Sequence, residues 1–423
     1  MNKKGLWLGG LTLAVCGAAL AGALMWRPSL PPVKQPAPRN AEQIRRGALV
    51  VEAGDCAVCH TRPGGEYLSG GLPLVTPFGT LYSTNITPDD RTGMGQWSLE
   101  AFERAMRHGV SRDGHFLYPA FPYAHYRRMS EDDLKDAYAY LMSGPPVDSP
   151  ARPNQMNFPM NIRPLVSFWN LLFLHGAQAQ PESGQTAQWN RGRYLVEGAG
   201  HCAGCHSPLN LLGAEKSGQS LAGGTVDGWE APSLLGLAQA RKPWNTQQLV
   251  DYLRGEVAAD HGAAAGPMRP VSLGLGKMPV SDVQAIAEYL LSLGAHTPVE
   301  TPSPTPDTRA LDPTARNEGA ALFQAACAGC HGAGAPMRSI DGRPDLADTS
   351  ALRSASSRNF VKTVREGIAM TPGASGPGMP AFAALLNDAQ LTVLATYLRA
   401  RAEPDHPWAD LPETIDDLRE DAQ

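Results

Sequence analysis

The sequence predicts a mostly α chain of three similar helical modules in tandem, placed after an N-terminal hydrophobic segment. Three observations predict it. The run Cys-x-x-Cys-His occurs three times, as Cys56–His60, Cys202–His206 and Cys327–His331. The same order of apolar helical stretches recurs around each run, with Gly and Tyr at matching places. Near the N-terminus, Gly5 to Trp26 form an uncharged stretch of 22 residues.

The repeated run has a definite chemistry. Two thiols three residues apart can form thioethers to the two vinyl groups of one porphyrin, and the adjacent imidazole then lies under the ring and binds its iron. Six of the seven cysteines sit in these runs: Cys56, Cys59, Cys202, Cys205, Cys327 and Cys330. The expected cofactors are therefore three covalently bound haem c groups, with His60, His206 and His331 as iron ligands. Structural zinc usually needs four N or S ligands from paired motifs, and a redox dithiol is expected beside a βαβ pattern. Neither pattern is apparent.

A length of 423 residues fits two to four domains. Charged residues make up only 18%, with 44 Gly and 37 Pro, which suits loop-rich modules around a large apolar cofactor. The net charge is −5 and no basic run interleaves with aromatics, so nucleic-acid binding is not supported. No Gly-x-Gly-x-x-Gly fingerprint follows a strand, which argues against a flavin or nicotinamide site.

Lys3 and Lys4 precede the uncharged stretch, which is long enough to span a bilayer. The positive residues predict a cytoplasmic N-terminus and an exported remainder. Residues 1–27 are thus a membrane anchor or a signal peptide, with Ala19-Leu20-Ala21 as a cleavage site in the second case. Cys16 lies inside this span. Residues 28–40 read as a stiff proline-rich spacer.

Within the repeats, an early Gly marks the helix before each motif: Arg46-Gly47-Ala48-Leu49, Arg191-Gly192-Arg193-Tyr194 and Glu318-Gly319-Ala320-Ala321. A middle helix follows at Trp97–Gly109, Trp244–Gly255 and Phe360–Gly367, each stopped by Gly. A closing helix at Leu134–Met142, Val283–Leu293 and Leu391–Arg399 carries Tyr140, Tyr289 and Tyr397. Asp132-Asp133, Ser281-Asp282 and Asn387-Asp388 are the expected N-caps. The modules then span 41–143, 189–296 and 313–401. Residues 144–188 form a linker with an apolar stretch, Phe158 to His175, that either packs between modules or docks a partner or lipid. Residues 297–312 form a Pro-rich linker, and 402–423 an acidic surface tail.

Each module resembles a class I cytochrome c. That resemblance implies that the first and last helices cross closely, pairing Gly47 with Tyr140, Gly192 with Tyr289 and Gly319 with Tyr397. It also implies a sixth iron ligand from Met. Met379, in Gly378-Met379-Pro380, sits nine residues before Asp388, as the pattern requires, and Met370 reads as a pocket-wall residue. In the second module Met268 is preferred to Met278, which lies four residues before Asp282. In the first, Phe121 occupies the place of the expected Met. Met129 ranks ahead of His125, and an open iron is the third option. Met106 and His108 lie on the middle helix.

The order of these modules resembles the triple-haem cytochrome c subunits of membrane-associated bacterial dehydrogenases. Their substrates are alcohols, gluconate, sorbitol or fructose, and a related branch accompanies molybdenum aldehyde or N-heterocycle hydroxylases. The resemblance rests on Thr84-Asn85-Ile86-Thr87-Pro88-Asp89, Leu117-Tyr118-Pro119-Ala120-Phe121-Pro122-Tyr123, Arg191-Gly192-Arg193-Tyr194-Leu195-Val196-Glu197, the second haem motif, and Gly223-Gly224 with Gly228-Trp229. Phe121 tilts it towards the molybdenum branch. It implies an electron-transfer subunit rather than the substrate-oxidising one. The partner would be a large molybdenum, flavin or quinoprotein dehydrogenase subunit, with or without a small subunit. Electrons would go to ubiquinone or a terminal oxidase, on the periplasmic side of the bacterial cytoplasmic membrane. The rival expectation is a catalytic multihaem cytochrome with an open iron in the first module.

Overall fold

A computed structural model of the chain describes residues 22, 25–33, 40–294, 311–336, 345–370 and 378–420. Most of the N-terminal apolar stretch, with Cys16, and most of the second Pro-rich linker lie outside the described residues. No described helix is long and apolar enough to cross a membrane. The chain forms two compact units. One comprises Met1–Glu182, Tyr194–Gly204 and Leu209–Ala214; the other comprises Ser183–Arg193, Cys205–Pro208 and Glu215–Gln423.

The first unit opens with α1 (Ala41–Ala53), whose N-cap Asn40 accepts the Gln43 N–H at 2.7 Å. The short α2 (Cys56–His60) follows. An antiparallel hairpin comes next, β1 (Pro73–Thr76) with β2 (Gly79–Tyr82), and β3 (Gln155–Met156) pairs on the other edge of β2. Helices α3 (Leu99–His108), α4 (Tyr123–Tyr126), α5 (Glu131–Leu141) and α6 (Val166–Phe173) follow in order. A π-helical turn, Leu195–Ala199, also belongs here.

The second unit takes up all but the last residue of α7 (Ala187–Tyr194), and α8 (Ala203–His206) ends in it. A second hairpin joins β4 (Gly224–Val226) to β5 (Trp229–Ala231). Then come α9 (Thr246–Leu253), α10 (Met268–Gly276), α11 (Val280–Ser292), α12 (Pro313–Ala326), α13 (Ala328–His331), α14 (Ser350–Arg353), α15 (Arg358–Glu366), α16 (Asp388–Ala402) and α17 (Leu411–Glu420).

Three helix crossings organise these elements, and all three use the expected glycines. A Cβ on Gly47 of α1 would lie 1.9 Å from the Asp136 carbonyl oxygen and 2.9 Å from Tyr140 Cβ on α5. On Gly192 of α7 it would meet Ala285 O at 1.9 Å and Tyr289 Cβ at 2.9 Å on α11, and on Gly319 of α12 it would meet Tyr397 Cβ on α16 at 2.4 Å. Next to the glycine, Arg46 forks onto Asp136 at 2.6 and 3.1 Å, and Arg191 forks onto Asp282 at 2.9 and 2.9 Å. Such two-pronged guanidinium–carboxylate pairs fix orientation as well as adding energy.

Several expectations are corrected. The closing helices start earlier than their apolar pattern suggests. Ser130, not Asp132-Asp133, caps α5 by accepting the Asp133 N–H at 3.0 Å. The acids instead fill the first turn, where the helix dipole favours them. Pro279, not Ser281-Asp282, precedes α11, with no side-chain cap. Asn387 caps α16 as expected, with Gln390 completing a capping box.

The described part of the spacer is not free. Leu30 and Val33 donate their N–H groups to Arg112 and Gln96 carbonyls at 2.7 and 3.1 Å. The acidic C-terminal segment is not a surface tail either. Trp408, Leu411, Ile415 and Leu418 are buried in one core with Phe323, Phe360 and Leu394. These residues put an apolar stripe on one side of α17 and leave the acids on the other.

Within the second unit, the turn after α9 packs on the start of α14. Ser350 N–H donates to His261 O at 3.1 Å, and the His261 ring stacks on Trp244 at 3.6 Å. Lys242 bridges Asp260 and Asp348 at 2.9 and 2.6 Å. Burial pushes His261 down to about 4, against the partial counter-pull of Asp260.

Two outcomes are expected. Gly192→Ala should lower stability by about 1–3 kcal/mol, because a methyl group cannot fit at the crossing and the helices must part; thermal unfolding measures it. The unfolded chain protonates His261 near pH 6.5, whereas the folded chain does so only near pH 4. Between those values the unfolded state binds more protons, so this contribution to stability is present above pH 6.5 and is lost as pH falls towards 4. Urea midpoints across that window should fall with pH, and less steeply in His261→Phe.

Candidate haem-binding sites

The two hairpins, the first of which has no clear signature in the sequence, aim the first two motif histidines. His60 Nδ1 lies 2.6 Å from the Thr84 carbonyl oxygen, and His206 Nδ1 lies 2.7 Å from that of Pro232. A carbonyl only accepts, so Nδ1–H is the donor in both, and the Nε2 lone pair is left for a metal. Burial also lowers both imidazole pKa values, which keeps them neutral. Neutral imidazole with its second nitrogen held by a carbonyl is the form that binds iron.

Corresponding backbone bonds build the two loops. Gly70 N–H donates to His60 O at 2.7 Å, and Gly223 N–H to His206 O at 2.8 Å. Leu68 O accepts from Ile86 N–H at 3.0 Å, and Leu221 O from Leu234 N–H at 2.9 Å. Asp227-Gly228, with φ of 49° and 72°, is a two-residue hairpin turn whose signal is in the sequence. In the first unit, Asn85 is buried beside Thr84. It donates to Val147 O at 2.7 Å and Thr92 Oγ1 at 3.0 Å, and accepts from Thr87 N–H at 2.9 Å. The Thr84–Asp89 stretch is therefore a knot that holds the Thr84 carbonyl in place.

The six motif cysteines form no disulfide. Burial is the main cause that pushes Cys56 up to about 12 and Cys327 up to about 11, so both stay neutral thiols. A zinc-binding or nucleophilic cysteine needs the opposite, a stabilised thiolate. Neutral thiols at Cys56 and Cys327, and neutral imidazoles at His60 and His206, match what a thioether-linked haem requires. Asp55 and His201, each just before the first Cys of its motif, take left-handed φ of 50° and 37°, which turns the chain sharply into the short helix.

The sixth-ligand candidates fall in different settings. Met379 is half-buried, exchanges two 2.9 Å backbone bonds with Ile368 and packs against the core containing Phe323. Met370 is 77% exposed and lies beside Gly378. Met268 opens α10 just after Gly266, whose missing Cβ makes room for the Trp229 ring. Met278 is buried in the turn before α11, its carbonyl accepting from Arg254. Met129 is fully buried and lies against Gly198. His125 is half-buried on α4. Phe121 packs on Tyr126 and Tyr123, with centroids at 5.5 and 6.2 Å. Met106 is buried in α3 and His108 is exposed at its end.

The apolar stretch divides. Trp169 packs on Phe173 and Tyr123 and donates its indole N–H to Leu212 O at 3.0 Å. Leu171 and Leu172 are exposed on the other side of α6.

Asn85→Ala should cost about 1–3 kcal/mol by stranding buried partners, and should reduce covalent haem at Cys56–His60. Thermal unfolding and a haem count by pyridine haemochrome check both.

Two families match parts of the chain: Cytochrome c over residues 190–294, and Cytochrome C oxidase, cbb3-type, subunit III over residues 314–398. The chain is 48% identical over 97% of its length to one of the subunits of the nicotinate dehydrogenase of Pseudomonas putida, and it spans only 35% of that longer protein. It is 35% identical to the gluconate 2-dehydrogenase cytochrome c subunit of Pantoea cypripedii, over 85% of this chain and 86% of that one. It is 33% identical to the fructose dehydrogenase cytochrome subunit of Gluconobacter japonicus, over 86% of this chain and 80% of that one. With cysteines and histidines arranged for covalent haem, the chain belongs to the cytochrome c subunits of dehydrogenases, an electron-transfer family.

Proposed function

We propose that the chain is the electron-transfer subunit of a membrane-associated dehydrogenase complex, built of three class I cytochrome c modules at 41–143, 189–296 and 313–401. The observation that carries this is the repeated geometry: a glycine crossing beside each Cys-x-x-Cys-His run, and, in the first two, an imidazole aimed by a carbonyl. Cys56 and Cys59, Cys202 and Cys205, and Cys327 and Cys330 would each hold one haem, with His60, His206 and His331 beneath. Met129, Met268 and Met379 are the proposed opposite ligands. A haem with His and Met ligands supplies a one-electron couple of raised potential. The chain's own part would be to anchor each haem through its cysteine pair and, at His60 and His206, to keep the imidazole neutral and oriented.

The partner is a large dehydrogenase subunit. Higher identity to the nicotinate dehydrogenase component than to the gluconate and fructose cytochromes supports a partner that oxidises nicotinate or a similar N-heterocycle. Ubiquinone or a terminal oxidase is the proposed acceptor. The uncharged Gly5–Trp26 stretch behind Lys3 and Lys4 supports attachment to the cytoplasmic membrane, with the modules on the periplasmic side. A second reading, catalysis at an open iron in the first module, is favoured by one observation, the aromatic Phe121 where a Met is expected.

Purification from native membranes in mild detergent should bring a large subunit along, and its substrate should reduce the haems. A cytochrome that arrives alone, and that binds carbon monoxide when reduced, would establish the second reading instead. In the same preparation, Met379→Ala and Met268→Ala should each remove part of the methionine-to-iron absorption band; an unchanged band would reassign that ligand.

A further inference from the structure

The carbonyl of Gly54 lies two residues before Cys56, at the end of α1. Two side chains converge on it within the first unit. Tyr126 donates its buried hydroxyl to Gly54 O at 2.9 Å, and His201 Nε2 approaches the same oxygen at 3.3 Å. The two rings meet edge to face at 5.5 Å. His201 is the residue bonded to Cys202, so one carbonyl joins the approach to the first haem motif with the approach to the second.

Other contacts hold this junction shut. The Gly54 Cα is close enough to the second segment that an added Cβ would sit 3.7 Å from Ala199 O, and 3.4 Å from Cys56 Sγ. Arg128 bonds Glu197 at 2.8 Å. Tyr194 donates to Asp133 at 2.5 Å and accepts the Ser130 N–H at 2.9 Å. The Leu195–Ala199 segment is π-helical, a departure from α geometry that often marks functional sites. It brings Gly198 against Met129.

We propose that Gly54, Tyr126 and His201 form the electron-transfer junction between the haems attached at Cys56 and Cys202, with Tyr126 and His201 as its positioning residues. The inference rests on the reading that both motifs carry haem. In the step, one iron(II) is oxidised as the other iron(III) is reduced. No bond is made or broken and no proton moves, so the junction needs only a short, fixed separation. Burial raises the Tyr126 pKa well above its usual value, so its hydroxyl keeps the proton that it donates.

The test uses the full-length, haem-loaded protein. Covalent haem per chain is counted, the haem potentials are titrated, and a laser pulse through a photosensitiser then reduces one haem while absorbance follows redistribution of the electron. His201→Leu and Tyr126→Phe should keep the haem count and potentials but slow redistribution between the first two haems about fivefold, the population change expected for one lost hydrogen bond of about 1 kcal/mol. His201→Gln, which keeps a donor for Gly54 O, should restore the rate. If His201→Leu fails to take up haem, Tyr126→Phe decides alone, because it removes only an oxygen atom. Wild-type rates in haem-replete variants would overturn the junction and leave the haem reading standing. Fewer than two covalent haems in the wild type would overturn the reading beneath it.

Discussion

Backbone contact between helices is the constraint on which the rest depends. At Gly47 and Gly192 the facing carbonyl oxygen occupies the space a Cβ would need. Glycine inside a helix costs about 1 kcal/mol relative to alanine, so each crossing is bought with local helix stability. What it returns is position. The helix that carries the glycine ends a few residues before the motif, and a left-handed residue at Asp55 or His201 then turns the chain into the cysteine helix. With the crossing fixed and the turn fixed, the direction in which His60 or His206 leaves the backbone has little freedom left.

The second level of control comes from carbonyls rather than side chains. An imidazole bonded through Nδ1 to a backbone oxygen cannot rotate or change tautomer without breaking that bond, and burial is what keeps its Nε2 free of a proton. Backbone carbonyls at Thr84 and Pro232 do this in corresponding places although the two residues have nothing in common chemically. A feature held by the main chain is indifferent to the side chain above it. This explains how two loops of different composition support one geometry.

The same distinction decides what can be read from the sequence. The Cys-x-x-Cys-His runs and the capping role of Asn387 depend on short-range spacing and are legible, whereas the three glycine–tyrosine pairs join residues far apart in the chain and follow from the resemblance to a class I cytochrome c. The β1–β2 hairpin is not legible, because its strands have only four residues each and show no clean apolar alternation. The starts of α5 and α11 are obscured because Ser130 and Pro279 stand ahead of runs that look like caps themselves. In α17, Leu411, Ile415 and Leu418 recur at helical spacing, but the acidic residues between them dominate the composition. The methionines are the hardest case: spacing from Asp282 only favours Met268 over Met278, while the surroundings of each depend on packing such as that of Trp229 on Gly266.

The burial of α17 bears on how these proteins can be recombined. The recognisable cytochrome pattern ends at residue 398, yet Trp408 caps Phe360 with ring centroids 5.5 Å apart and donates to Ser354 O at 2.8 Å. Glu403, 1% exposed, lies between Arg241 and Arg353 at 2.7 and 3.7 Å. A cassette cut at the end of the recognisable pattern would therefore leave an apolar face open to water and two arginines without their shared counter-ion. The portable unit for grafting this cytochrome onto another dehydrogenase runs through α17, and its boundary is set by the core rather than by the haem motif.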